Sequence, residues 1–216
     1  MPDLNFTVQN ATPDRYAAAP TLHLELAIRQ RGRPLPIQSI SLQCQVRIET
    51  TKRHYDLAEQ AQLSDLFGEP SRWSQTLHSM LWSHASVVVP AFSGERTQVN
   101  LPVPCSFDFN LAATKYFHGL DKGVVPLLLL YSGSVFYRDD EGALAMDLIS
   151  WNEEARYALP VQVWKDMMEL YYPNQRWLCM NRQVFEALYD YKRRHGHPGF
   201  DDALASLLAD AKRIAS

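Results

Sequence analysis

The sequence predicts an α+β fold, in which a mainly antiparallel β-sandwich with a short helical insertion is followed by a C-terminal helical segment. Apolar and polar residues alternate strictly from Ile40 to Ile48, which is the period of a half-buried strand. Other stretches before residue 159 repeat this two-residue period. From Pro160 onward the apolar residues recur at helical spacing instead. Strands followed by helices along the chain are typical of α+β domains.

The first three strands are predicted from alternation alone. Apolar residues occupy every second position in residues 3–10, residues 22–28 and residues 40–48. The segment Arg31-Gly32-Arg33-Pro34 supplies a turn before the third stretch. Strict alternation over this length does not fit the 3.6-residue period of a helix. The third stretch is therefore the clearest strand prediction in the chain.

Residues 56–78 are predicted to form a helical insertion between strands. Apolar residues from Leu57 to Phe67 fall at helical spacing, and Gly68 and Pro70 end the pattern. A second short helical turn is predicted around Trp73.

The remaining strands are predicted at residues 81–89, 97–111, 127–137, 143–149 and 156–159. Pro102 and Pro104 suit an edge or bulged position, because proline cannot donate a ladder hydrogen bond. A polar loop that ends in Gly142 predicts a hairpin between two of these strands. Ser132-Gly133-Ser134, inside an apolar strand, predicts a small-residue bulge where another backbone comes close.

Three helices are predicted after Pro160. The first carries an apolar stripe, and Asn181 is the expected N-cap of the second, whose last turn is Lys192-Arg193-Arg194. The third begins with two acidic residues. The predicted domains are a β-sandwich of residues 1–159, with the insertion at about 56–78, and a helical segment of residues 160–216 packed on it.

Composition limits the classes of function. With 46% hydrophobic and 21% charged residues, the chain is an ordinary globular protein, and its net charge of −3 gives no reason to expect a nucleic-acid partner. Three widely spaced cysteines fit a reducing compartment. No signal-peptide pattern follows Met1, and the apolar run of residues 124–131 is too short to span a membrane. We therefore expect a cytoplasmic protein.

None of the candidate catalytic or metal-binding motifs in the sequence identifies a catalytic residue. His195-Gly196-His197 is the only local histidine pair, and a solvated turn explains it better than a metal site. Cys105 with His118 is a formal nucleophile–base pair, although a packed thiol is the better interpretation. The glycines form no phosphate-binding loop. The expectation is a protein that is not an enzyme and holds no cofactor or metal.

Tryptophan is frequent, with 5 residues in the chain. An exposed tryptophan beside a helical insertion is a natural anchor for a partner protein. Trp73 and Trp177 occupy loop contexts and are the candidate partner-binding residues, although each could instead cap the core.

Five strings together resemble an uncharacterised bacterial family, a domain of unknown function of about this length. They are Leu66-Phe67-Gly68-Glu69-Pro70 with Trp73; Val89-Pro90-Ala91-Phe92; Leu101-Pro102-Val103-Pro104-Cys105 with Asp108-Phe109; Ala112-Ala113-Thr114-Lys115-Tyr116; and Trp164 with Met167-Met168, Tyr172-Pro173-Asn174 and Trp177. The resemblance covers almost the whole chain. Members of that family are encoded near the genes of uptake [NiFe]-hydrogenases, so the resemblance implies an accessory role in making, assembling or holding a hydrogenase. Its motifs have no assigned chemistry, and no catalytic or ligand residue can be carried over from it.

Three hypotheses about function remain open at this point. The first is a non-catalytic interaction protein, an accessory or assembly factor whose partners are hydrogenase subunits or maturation factors. The second is a sandwich module that binds a small ligand such as a carbohydrate on exposed aromatic residues. The third is a metal-handling protein, suggested by 7 histidines and 3 cysteines. An enzyme whose residues are assembled from distant strands ranks last.

Overall fold

The computed structural model describes residues 2–105, 111–175 and 180–215. The chain divides into two compact units, Met1–Gln175 and Arg176–Ser216. The described strands all lie in the first unit. The predicted boundary between residues 159 and 160, and the packing of residues 160–216 on the sandwich, stay predictions.

The strands form two antiparallel sheets. They are β1 (Asp3–Pro13), β2 (Thr21–Arg31), β3 (Ile37–Ile48), β4 (Met80–Val89), β5 (Arg96–Pro104), β6 (Val124–Arg138), β7 (Leu144–Leu148) and β8 (Glu154–Pro160). One sheet has the order β1-β2-β5. The other has the order β4-β3-β6-β7, and β8 also pairs with β6. The predicted α+β fold with mainly antiparallel sheets is confirmed.

The core lies between the two sheets. Side chains at alternate positions of β2 and β3 are almost completely buried, as the strict alternation predicts. Phe6 of β1 stacks on Tyr131 of β6 with 4.3 Å between ring centroids, and the two rings belong to different sheets. Apolar side chains of both inner faces therefore form one continuous core.

The described α-helices of the first unit are α1 (Leu57–Phe67), α2 (Trp73–Thr76), α3 (Leu111–His118) and α4 (Val161–Tyr171). The predicted insertion is confirmed, since α1 and α2 lie between β3 and β4. Asp56 caps α1 by accepting a hydrogen bond from the backbone N–H of Glu59, and Gly68 ends it at a φ of 75°. Helix α3 was not predicted from the sequence.

The second unit holds helices α5 (Arg182–Arg194) and α6 (Phe200–Ala215). The predicted N-cap is confirmed, because the side chain of Asn181 accepts a hydrogen bond from the backbone N–H of Gln183. The Tyr191 hydroxyl and the Ser206 hydroxyl lie 3.2 Å apart and join the two helices. Within the described parts of both units, no helix is long and apolar enough to cross a membrane.

Strand β6 changes its partner at Gly133. Strand β8 pairs with β6 up to Leu130, and β7 pairs with it from Ser134 onward. A Cβ atom at Gly133 would lie 1.9 Å from the carbonyl oxygen of Ser41, so the predicted close approach of another backbone is confirmed. The register between β6 and β3 runs through this point without the expected bulge. Opposite Gly133, the chain between β7 and β8 leaves the sheet in a turn at Trp151.

Candidate protein-interaction surface

The outward faces of the two sheets differ in polarity. On the three-stranded sheet, β1, β2 and β5 present mainly polar residues to solvent, and Gln98 donates a hydrogen bond to Gln9 across that face. On the five-stranded sheet, β4 exposes Val88 and the β6–β7 hairpin exposes several large apolar side chains. The five-stranded sheet is therefore the one that presents apolar surface to solvent.

Strand β7 carries most of this apolar surface. Leu144, Met146 and Leu148 are 66%, 54% and 67% exposed, and they share one face because side chains alternate along a strand. Phe136 of β6 lies directly beside Met146 in the register and is also exposed. We call these four residues the β7 stripe. Contiguous apolar side chains on a surface mark sites of protein interaction.

Trp151 lies three residues after the β7 stripe along the chain. Its side chain is 92% exposed, in the turn that leads from β7 to β8. Backbone hydrogen bonds hold both sides of this turn on β6: Ile149 N–H donates to Gly133 O at 2.9 Å, and Tyr131 N–H donates to Glu153 O at 3.0 Å. The indole therefore projects from a fixed base. Tryptophan is among the residues most enriched at energetically important contacts between proteins.

A cleft of about 330 Å³ lies beside the surface, between the start of β1 and the turn that carries Trp151. Its carboxylates have partners: Asp3 and Glu153 both pair with Arg31, at 3.1 and 3.4 Å. Asp147 accepts a hydrogen bond from the Tyr137 hydroxyl at 2.6 Å. This carboxylate holds the pKa of that hydroxyl above its ordinary value. The polar groups of the cleft thus fix the local structure.

The described thiols are buried and inert. Burial raises the pKa of both Cys44 and Cys105 to about 12, so each stays protonated at neutral pH. The Cys105 thiol donates a hydrogen bond to Val103 O at 3.3 Å. Because the thiolate is the reactive species, neither residue has the environment of a nucleophile.

Arg53 and Glu59 form a buried ion pair at 2.6 Å beneath the helical insertion. Their side chains are only 8% and 5% exposed. Arg53 also donates hydrogen bonds to the carbonyl oxygens of Lys122 and Val124, and Glu59 accepts one from the backbone N–H of Asp121. These bonds tie α1 to the segment before β6. The burial of this ion pair is therefore explained by a structural role, which is to hold α1 against the segment before β6.

Among the described residues, His23 Nε2 lies 2.9 Å from Asp14 Oδ2. No group of three or more His, Cys, Asp or Glu residues in the described part of the chain could hold a metal ion. The rings of His195 and His197 both stack with Tyr191, with centroid distances of 4.1 and 5.7 Å, and with each other at 6.1 Å. Aromatic stacking thus accounts for the pair that the sequence singled out.

The comparison with protein families gives one match. The model of a family of unknown function, DUF6084, matches residues 1–216. The chain belongs to the DUF6084 family. No curated protein and no solved structure matches it.

Of the two tryptophans proposed from the sequence as partner-binding residues, the structure of this DUF6084 chain describes Trp73 but not Trp177. Trp73 is half-buried, donates a hydrogen bond from Nε1 to Gly68 O at 2.9 Å, and packs edge-on against Tyr55 and Phe67. These contacts hold the insertion on the core. Trp177 lies outside the described residues. Partner binding through either residue stays a prediction.

Sequence reasoning missed Trp151, although a signal was present. The turn Ser150-Trp151-Asn152 lies between two strands and surrounds the indole with polar residues. The wider sequence context of Trp73 and Trp177, with glycine or proline nearby, looked more like a loop. The β7 stripe was also missed, because alternation over 143–149 gives a strand but not which of its faces is buried.

Proposed function

We propose that this chain is a non-catalytic interaction protein that binds another protein through the β7 stripe and Trp151. The observation that carries the proposal is an edge strand with three large apolar side chains more than half exposed, followed three residues later by an indole that is 92% exposed. An apolar patch with an aromatic anchor is the usual centre of a protein interface. The partner is accordingly a protein with an apolar docking face.

The role we propose is that of a cytoplasmic accessory or assembly factor. The strings that resemble a family encoded near uptake [NiFe]-hydrogenases make hydrogenase subunits and maturation factors the partners to test first. Two observations support a role without catalysis. The described thiols are protonated and buried, and the buried ion pair of Arg53 with Glu59 is bound to backbone groups.

Single substitutions in the β7 stripe or at Trp151 are expected to weaken partner capture. A tagged chain recovered from its native host should bring down hydrogenase subunits or maturation factors, identified by mass spectrometry. The variants Trp151→Ser and Leu148→Ser should each weaken the isolated complex by at least ~30-fold, because an interface hot spot contributes about 2 kcal/mol or more. The affinity is measured by titrating the purified partner.

Tyr16→Ser is the matched control for this experiment. Tyr16 is 95% exposed, but it lies in the link between β1 and β2, outside the β7 stripe. The control should bind like the wild-type chain. Equal binding by wild-type, W151S and L148S chains would contradict the proposed surface, and failure to recover any hydrogenase-related protein would contradict the proposed partner.

A carbohydrate is the second candidate ligand, because an exposed indole lies next in the chain to a cleft lined by Asp3, Ser150 and Glu153. Indole faces pack against sugar rings, and carboxylates accept hydrogen bonds from hydroxyl groups. Binding would change the fluorescence of Trp151, and the change should disappear in W151S. Titration with a panel of glycans tests this candidate, and an unchanged wild-type spectrum across the panel rejects it.

A further inference from the structure

Strand β7 is an unprotected sheet edge. Native proteins block exposed edges with proline, charged side chains, bulges or covering elements. Strand β5 contains Pro102 and Pro104, and β1 has a bulge after Val8. Strand β4 lies beside β5, and β8 lies beside β1. Strand β7 has no proline, lysine or bulge, and its one charged side chain, Asp147, accepts a hydrogen bond from the Tyr137 hydroxyl of β6. No other described strand pairs with the outer side of β7.

The backbone of β7 offers its free groups at alternate residues. Asp139 N–H donates to Ala143 O at 3.0 Å, and Ile149 N–H donates to Gly133 O at 2.9 Å, so the odd-numbered positions bond to β6. Hydrogen-bonding direction alternates along an antiparallel strand. Leu144, Met146 and Leu148 therefore direct their N–H and C=O groups away from β6. These are the residues whose side chains form the β7 stripe.

The sequence of β7, Leu-Ala-Met-Asp-Leu, is nearly symmetric about Met146. A second copy in antiparallel orientation would place Met146 opposite its own equivalent and Leu144 opposite Leu148. Each of these positions would exchange both N–H···O bonds with its partner. Asp147 would face Ala145, so the two carboxylates would not meet.

Neighbouring registers are less favourable. A two-fold axis at Asp147 would place two carboxylates directly opposite each other, which destabilises a strand pair. An axis at Ala145 would move Leu148 opposite the Gly142 turn and lose one apolar pair. The axis at Met146 keeps all the outward-directed groups of β7 in hydrogen-bonded pairs.

We infer that β7 pairs with β7 of a second copy of this chain, antiparallel and centred on Met146. The two five-stranded sheets then form one continuous sheet, and the stripes of both copies join on its outer face. This inference rests on the proposed function. The second copy of the chain binds the edge of β7, and the joined stripes remain free for the protein partner. A symmetric dimer of this kind is isologous and closed.

The dimer is expected to dissociate on dilution. Strand β7 has 5 residues, and a pairing this short buries less than the ~800 Å² per partner of a standard interface. Sedimentation velocity of the wild-type chain, over concentrations up to ~0.5 mM, should therefore show a monomer–dimer equilibrium.

A charge exchange at Met146 tests the register. The variants M146K and M146E should each sediment as monomers at a concentration where the wild-type chain is dimeric, because two like charges meet at the axis. An equimolar mixture should recover the dimer mass, because opposite charges then meet. Val88→Lys is the matched control: Val88 is 68% exposed on the same sheet face but at the opposite edge, and the variant should stay dimeric.

Four results would overturn the inference: a wild-type monomer throughout the range, a dimer that persists in M146K, loss of the dimer in Val88→Lys, or a mixture that stays monomeric. Circular dichroism verifies that each variant is folded. A monomeric wild-type chain that still captures its protein partner overturns the dimer alone. A dimer that captures no partner overturns the proposed function alone.

Discussion

Replacing Glu59 with glutamine is expected to lower the free energy of unfolding by about 3–5 kcal/mol, which is the usual cost of removing one partner from a buried ion pair. The substitution keeps the size of the side chain and removes its charge. The Arg53 guanidinium would then remain buried without a counter-charge. Its two bonds to backbone carbonyl oxygens would not replace the lost charge interaction.

The contacts around the pair explain why this loss would be large. Glu59 accepts from both Arg53 and the backbone N–H of Asp121, and Arg53 lies 5.7 Å from the ring centroid of Tyr55. The Tyr55 hydroxyl lies 2.8 Å from the Tyr116 hydroxyl of α3. A change at Glu59 therefore loosens the link between the insertion and the segment before β6 as well as the ion pair itself.

Urea unfolding followed by tryptophan fluorescence measures the effect. The control is Lys115→Met, which removes an exposed ion pair with Asp65 between the same helices, α3 and α1. Exposed pairs contribute about 1 kcal/mol at most, so this variant should unfold near the wild-type midpoint. A Glu59→Gln midpoint no lower than that of the control would contradict the structural role of the buried pair.

Most strands could be predicted because burial on one face imposes a two-residue period. In β2 and β3 every second side chain enters the core, so the sequence alternates over the whole element. Helix α5 was predictable for a related reason, since its N-cap Asn181 and its basic last turn are local signals. Local sequence patterns are sufficient to predict a strand or helix when one of its faces packs against a single buried surface.

Helix α3 was missed because its packing is not local. It has only 8 residues, too few for a clear period. Phe117 is fully buried and stacks on Trp164 of α4 at 5.1 Å, and it also packs against Trp82 of β4 at 5.0 Å. These partners lie 47 and 35 positions away along the chain. Tertiary contacts therefore give this short segment its place in the fold.

The candidate surface was unpredictable for a different reason. The alternation in β7 is as regular as in a buried strand, but its apolar residues face solvent. The register with β6 determines this exposure, because Leu144, Met146 and Leu148 pair with residues of β6 whose side chains point away from the core. The change of strand partner at Gly133 produces the turn that exposes Trp151.

Replacing Gly133 with alanine is expected to cost at least ~3 kcal/mol of stability. The backbone at Gly133 has a φ of 134°, a conformation that residues with a Cβ rarely adopt. The added methyl group would also lie 1.9 Å from the Ser41 carbonyl oxygen of β3, a backbone atom that cannot rotate away. Strands β3 and β6 would have to separate at the centre of the five-stranded sheet.

Gly142→Ala separates the two contributions to this cost. Gly142 also has a positive φ, of 83°, but no atom lies within 4 Å of where its Cβ would be. The control variant should therefore lose only about 1–2 kcal/mol, the cost of the backbone conformation alone. Chemical denaturation of the two variants gives the difference, which combines the steric clash with Ser41 and the less favourable φ of Gly133. Equal losses in the two variants would mean that β3 and β6 do not approach each other as closely as the structure places them.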